Sequence, residues 1–184
     1  PTWSGLDLPP ADNLAELSNA TQQQALRIVG YLAHLNTHIG APGNRQLLDH
    51  AILSGKTHGY SAESAFCYAE RASRAIADGH ADLAAQLATQ ARSLAERFDN
   101  NLFSRRTLTV LNSQVDPWTS SIDTALQSLA RNLEDCQNHR DFEFAAYAAA
   151  NYALNALVRG QELGNLRRQL GDQSANLVPV GAVS

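Results

Sequence analysis

Apolar residues along this chain recur at steps of three and four, and the pattern restarts about every 40 residues. Ser61-Ala62-Glu63-Ser64-Ala65-Phe66 opens one helical pattern, Asn101-Leu102-Phe103-Ser104 the next, and Asp141-Phe142-Glu143-Phe144-Ala145 a third. Each runs into a break, at Asp78-Gly79-His80, Asp116-Pro117-Trp118 and Arg159-Gly160-Gln161, and then into a second helical pattern. The repeating unit is therefore a helix pair, with pairs expected at 61–99, 101–138 and 141–170. Successive pairs of this kind stack into an α-solenoid, here expected as a right-handed superhelical slab.

The faces follow from the same spacing. Ala65, Ala69, Ala72 and Ile76 make one stripe, and Leu83, Leu87, Ala91, Leu94 and Phe98 make the stripe of its partner. So many alanines call for close helix approach. Ile122, Leu126, Leu129, Leu133 and Cys136 form the cleanest seam, whereas 142–158 is apolar almost all round and calls for neighbours on more than one side. The large core positions are expected at Phe66, Leu87, Leu94, Phe98, Ile122, Leu126, Leu129, Leu133, Phe144, Ala148 and Tyr152.

Ahead of the repeat, Ala25, Ile28, Val29, Leu32, Leu35 and Ile39 predict an amphipathic helix over 21–39, stopped by Gly40 and Pro42. Leu47, Leu48, Ala51 and Ile52 predict a second helix that ends near Gly55 to Gly59, so 21–59 reads as a helical hairpin. Residues 1–20 read as an extended lead-in with a short helix at 12–17. The helix starting at Glu162 is expected to end at Gly171-Asp172, leaving 171–184 as a loose tail. No segment alternates strictly enough to be a strand, so the fold class is all-α.

Composition narrows the function. With 184 residues, 44% of them hydrophobic and 17% charged, the chain has the material for a sizeable core. A formal net charge of −4 with scattered Lys and Arg provides no basic stripe, which argues against nucleic acid and anionic membranes as partners. The longest apolar runs fall far short of the roughly 20 residues of a membrane span. Cys67 and Cys136 stand far apart in no metal-type spacing, so two free, inert thiols in a reducing, cytoplasmic setting are expected. The start at Pro1, without Met, reads as a piece of something longer.

Motifs for chemistry are weak. Gly55-Lys56-Thr57 is the tail of a phosphate-binding loop, but the Gly required five residues earlier is His50 and no strand precedes it. His34 and His38 are one helical turn apart, yet a metal would need further ligands, for which only Asp49 and His50 are at hand. Asn19-Ala20-Thr21 matches a glycosylation sequon without a signal peptide. Trp118 beside Pro117 reads as a structural residue lying across a joint; if exposed, it would instead be a binding anchor. No acid, base or nucleophile cluster is legible, and no enzyme activity, cofactor or metal is expected.

One resemblance emerges from these residues. The run 64–69, the helix 83–97 ending in Leu-Ala-Glu-Arg-Phe, Pro117-Trp118, and above all 141–152 followed by Gly160-Gln161-Glu162-Leu163 resemble the tetratricopeptide-like region of large bacterial signalling ATPases of the STAND type. The similarity covers roughly 21–170 and departs from the family at Glu70-Arg71 and His80. It implies a non-catalytic module that relays contacts between an ATPase and an output domain, with a protein partner. An effector-sensing domain for a small ligand is the alternative. If the first helices line a concave face, the expected contact residues are Glu63, Glu70, Arg71, Arg74, Arg105, Arg106, Asn112, Asn151 and Asn155.

Overall fold

The computed structural model describes residues 19–38, 44–99 and 101–177 of the chain. Helix is the regular structure throughout them: α1 (Ala20–His38), α2 (Asn44–His58), α3 (Ala62–Ala77), α4 (Ala81–Arg97), α5 (Leu102–Val110), a π-helical turn (Leu111–Val115), α6 (Asp116–Thr119), α7 (Ile122–Asn138), α8 (Phe142–Arg159) and α9 (Leu163–Leu177). The chain divides into two compact units between Thr107 and Leu108.

Local chemistry sets the helix ends. The Asn19 carboxamide oxygen accepts from the Thr21 and Gln22 amides at 3.0 and 3.1 Å, so the sequon residue serves as the cap of α1. Ser61 starts α3, its amide donating to Ser64 Oγ at 3.1 Å, and Ser121 Oγ accepts from Thr124 N at 3.1 Å to start α7. Among the described residues four helices are followed by a residue in left-handed backbone, Gly59, Gly79, Arg140 and Gly160, and at the last three the next amide reaches back to a carbonyl five residues earlier (Ala75, Cys136 and Ala156).

In the first unit α3 is the central element, with thirteen of its sixteen residues buried. It packs against α1, α2 and α4. Two side-chain contacts fix the direction of α1: Arg27 meets Glu63 and His34 meets Glu70, each 36 positions on, so α1 and α3 run parallel. Asp49 meets Arg71 and Arg45 meets Asp78, one index rising as the other falls, so α2 runs antiparallel to α3. Alanines carry the α3–α4 contact, with Ala65, Ala69, Ala72, Ala84 and Ala91 fully enclosed. Leu26, Ala33, Leu48, Ala51 and Cys67 form the core shared by α1, α2 and α3.

In the second unit α7 and α8 form a hairpin through His139-Arg140-Asp141, and α9 returns along α8. Leu126, Ala156 and Leu166 bind the three helices, with Ile122, Tyr152, Ala153 and Leu170 packed around them. Of the expected core positions Phe66, Leu87, Leu94, Leu126, Leu129, Leu133, Phe144 and Ala148 are buried, and Phe98, Ile122 and Tyr152 are half-buried.

Three expectations are corrected. On α1 the buried face is Leu26, Gly30, Ala33 and His34, while Ile28, Leu32 and Leu35 are about half exposed, so the covered face lies opposite the most apolar one. Gly30 and Ala33 on the covered face admit the close approach of α3. Asp116-Pro117-Trp118 is not a break, because a π turn carries helix through it to Thr119 and the chain turns at Ser120-Ser121. In the π turn the Asp116 amide bonds back to Leu111 O, which resets the ladder so that Pro117 falls in the first turn of α6, where its missing N–H is tolerated. Gly171 does not end α9, which continues to Leu177; a glycine inside a helix costs only about 1 kcal/mol. The predicted helix at 12–17 and the tail beyond 177 lie outside the described residues.

Candidate functional site

The first unit encloses several ionisable side chains. Glu63, Glu70, Arg71, His34 and Arg106 are all buried, and each is partnered across helices. Arg27 donates to Glu63 Oε1 through Nη2 at 2.7 Å and Nε at 3.3 Å. His34 Nδ1 lies 2.7 Å from Glu70 Oε1, and Arg71 Nε donates to Asp49 Oδ1 at 2.9 Å. Arg106 donates to the Tyr31 hydroxyl and also stands over that ring, 5.3 Å from its centroid.

Between these charges sit three rings, one from each of α1, α3 and α5. Tyr31 and Phe103 meet edge-on at 5.5 Å, Phe66 and Phe103 at 5.8 Å, and Tyr31 lies 6.3 Å from Phe66. The Arg27 guanidinium covers Phe103 at 5.3 Å, so it binds a carboxylate and a ring face together. Burial pushes the Cys67 thiol up to about 12, with the carboxylates of Glu70 and Glu63 adding to the effect, which leaves a protonated, unreactive sulfur at neutral pH. Burial likewise raises the Tyr68 and Tyr60 phenols.

A second polar cluster surrounds the π turn in the other unit. Thr109 Oγ1 donates to Asn132 Oδ1 at 2.5 Å and lies 3.9 Å from Cys136 Sγ. Ser113 Oγ donates to Thr109 O at 2.6 Å, the kind of back-bonding that perturbs a helical ladder. Asn112, Ser113 and Asn132 are buried there. Beyond the π turn, on the four-residue α6, Trp118 stands 71% exposed. The reading of Trp118 as a buried joint residue is corrected: the π turn rotates α6 so that the indole points to solvent.

The nine residues expected at a contact face therefore divide. Glu63, Glu70, Arg71, Arg106 and Asn112 lie inside the fold, the first four bonded to side chains of neighbouring helices. Amphipathic reasoning assigns polar residues to solvent, and it fails here because Arg27, His34, Asp49 and Tyr31 supply partners from adjacent helices. Arg74, Arg105, Asn151 and Asn155 are half-buried. Asn151 Nδ2 donates to Tyr147 O at 2.8 Å and Asn155 Nδ2 to Asn151 O at 3.0 Å, so both amides spend a donor on their own helix.

Sequence reasoning missed Arg27 and Tyr31. The signal was present: two basic groups seven apart, Arg27 and His34, face two acids seven apart, Glu63 and Glu70. Of the motifs weighed for chemistry, Gly55-Lys56-Thr57 forms part of the last turns of α2, with Gly55 pressed on the Tyr60 ring and Lys56 exposed. His34 is committed to Glu70 and Asp49 to Arg71, while His50 is exposed; the His38 side chain lies outside the described residues. Among the described residues no group of three or more His, Cys, Asp or Glu is placed to hold a metal, and no helix is long and apolar enough to cross a membrane. Compared with known proteins, the chain matches no protein-family model, no curated protein and no solved structure.

Proposed function

We propose that this chain is a non-catalytic helical-repeat module of a bacterial signalling protein, a tetratricopeptide-like array that holds or relays contacts between an ATPase domain and an output domain. The observation that carries the reading is Trp118. An indole is among the most favourable side chains to bury, and here it stands 71% exposed on the short α6 that follows the π turn. An exposed aromatic of this kind suits a protein contact.

The constant 36-residue offset between α1 and α3 supports the repeat architecture, because parallel first helices in register are what stacked helix pairs produce. The side-chain contacts Arg27–Glu63, His34–Glu70 and Asp49–Arg71 support a relay, since they tie three helices together. The two buried free thiols fit a cytoplasmic setting.

The test is binding of this chain to the polypeptides encoded on either side of it in its gene, measured by calorimetry with wild type and Trp118→Ala. Binding that the substitution weakens at least tenfold, with the helical circular dichroism and melting unchanged, supports the proposal. The absence of binding to either neighbour would refute it. Saturable uptake of a small metabolite by the aromatic and charged cluster at Tyr31, His34 and Arg106 would instead favour the effector-sensing alternative.

A further inference from the structure

Trp118 would be an interior residue if the helix begun by α5 ran on as an unbroken α-helix. Counted along such a helix, Leu111, Val115 and Trp118 stand at i, i+4 and i+7, which is one face. Leu111 and Val115 are fully enclosed. The π turn adds one residue to the ladder here, and one residue is about 100° of rotation at 3.6 residues per turn. That rotation carries the indole off the covered face and leaves it 71% exposed.

π geometry is rare, and here two residues hold it, one on each side of the slip. Upstream, Ser113 Oγ donates to Thr109 O at 2.6 Å and to Val110 O at 3.2 Å. A hydroxyl on those carbonyls competes with the amides that bond to them in an α ladder. Downstream, Pro117 has no N–H, and in an unbroken α-helix its ring would press on the carbonyl of Ser113, four residues back. In the π register the Asp116 amide bonds to Leu111 O and Pro117 falls at the start of α6, where a proline is accommodated.

The short helix that carries the indole is then closed by its own polar groups. Asp116 O accepts from the Ser120 amide at 2.8 Å and from Ser120 Oγ at 2.9 Å, and Thr119 Oγ1 donates to Val115 O at 3.1 Å.

We infer, on the reading of Trp118 as a contact residue, that Ser113 and Pro117 are positioning residues for that contact. Together they keep the extra residue in the helix and so fix the side from which the indole meets a partner protein. Ser113 is buried, so it acts only through the direction it gives to Trp118.

Tryptophan fluorescence tests this in a Trp3→Phe background, which leaves Trp118 as the single indole. Ser113→Ala combined with Pro117→Ala frees the helix to close in the α register. The expected result is a blue-shifted emission and acrylamide quenching reduced about twofold or more, as an indole 71% exposed moves to the enclosed face, with helical circular dichroism retained. Pro117→Ala by itself, which disturbs no fully buried side chain, should move both signals part of the way. Ser113→Thr keeps the hydroxyl and should match wild type. In calorimetry with the polypeptides encoded on either side of the chain, the double variant should bind about tenfold or more weakly, and Ser113→Thr as wild type does. A Trp118 that stays exposed in both Pro117→Ala and the double variant overturns the inference and leaves the contact reading of Trp118 intact. An enclosed Trp118 with undiminished binding overturns that reading instead, and with it the part of these two residues in the contact.

Discussion

Gly30→Ala is the substitution on which helix propensity and packing disagree most directly. Gly30 lies in the middle of α1, where replacing glycine by alanine ordinarily stabilises a helix by about 1 kcal/mol. A Cβ at this position would stand 2.9 Å from Phe66 Cδ1, 3.5 Å from Cε1 and 3.6 Å from Cys67 Sγ. The first distance is far inside van der Waals contact, and the ring cannot swing away. Phe66 is fully enclosed, with Phe103 and His34 each 5.8 Å from it and Tyr31 beyond. Relief would require α1 to move off α3, which would stretch the Arg27–Glu63 and His34–Glu70 contacts.

Overpacking of this kind costs ~1–3 kcal/mol, and a fixed ring belongs at the upper end. After the propensity gain the net loss is ~1–2 kcal/mol, or a fall of roughly 3–6 °C in melting temperature for a chain of this size. Gly171→Ala provides the control. Gly171 is also helical, and a Cβ there meets nothing within 4 Å, so that substitution should stabilise by up to ~1 kcal/mol. Urea denaturation followed by circular dichroism measures both, and hydrogen exchange of the α3 amides assigns the Gly30 effect to the first unit. If Gly30→Ala stabilises as Gly171→Ala does, the α1–α3 approach described above is wrong.

Asp49→Ala should destabilise by ~3 kcal/mol, because it leaves the enclosed Arg71 guanidinium without its carboxylate, whereas Arg71→Met, which removes the charge and keeps most of the stem, should cost less; chemical denaturation of the two variants gives the order. Cys67 has a folded pKa raised above its ordinary value of 9.0, so its contribution to stability is complete below about pH 9 and is lost as pH rises through about 12. Between those limits wild type should lose stability faster than Cys67→Ala, by up to ~1.4 kcal/mol per pH unit, and equal slopes in alkaline urea titrations would refute the assignment.

Much of the helical framework was legible in the residues. The restarts at 61, 101 and 141 mark real helix beginnings at Ala62, Leu102 and Phe142, because a capping residue, a turn glycine and a three- to four-residue apolar step are local signals that act within one or two turns. The seam Leu126, Leu129, Leu133, Cys136 is buried as its spacing requires, since on α7 the apolar and covered faces coincide.

Where two faces of a helix compete, local pattern could not choose. α1 carries Ile28, Leu32 and Leu35 on one side and Leu26, Gly30 and Ala33 on the other, and packing against α3 selects the second for burial. Glu63, Glu70 and Arg71 read as solvent-facing because a helix considered by itself offers charges no other partner; packed against Arg27, His34 and Asp49 they become interior residues. The outward turn of Trp118 follows from the π turn, an added residue in the ladder beside buried Ser113 and Asn112 that no periodicity records. Sequence determined where helices begin and which residues a seam can use. Tertiary packing decided which face is covered, because burial of a charge or exposure of an indole depends on what a neighbouring helix brings within reach.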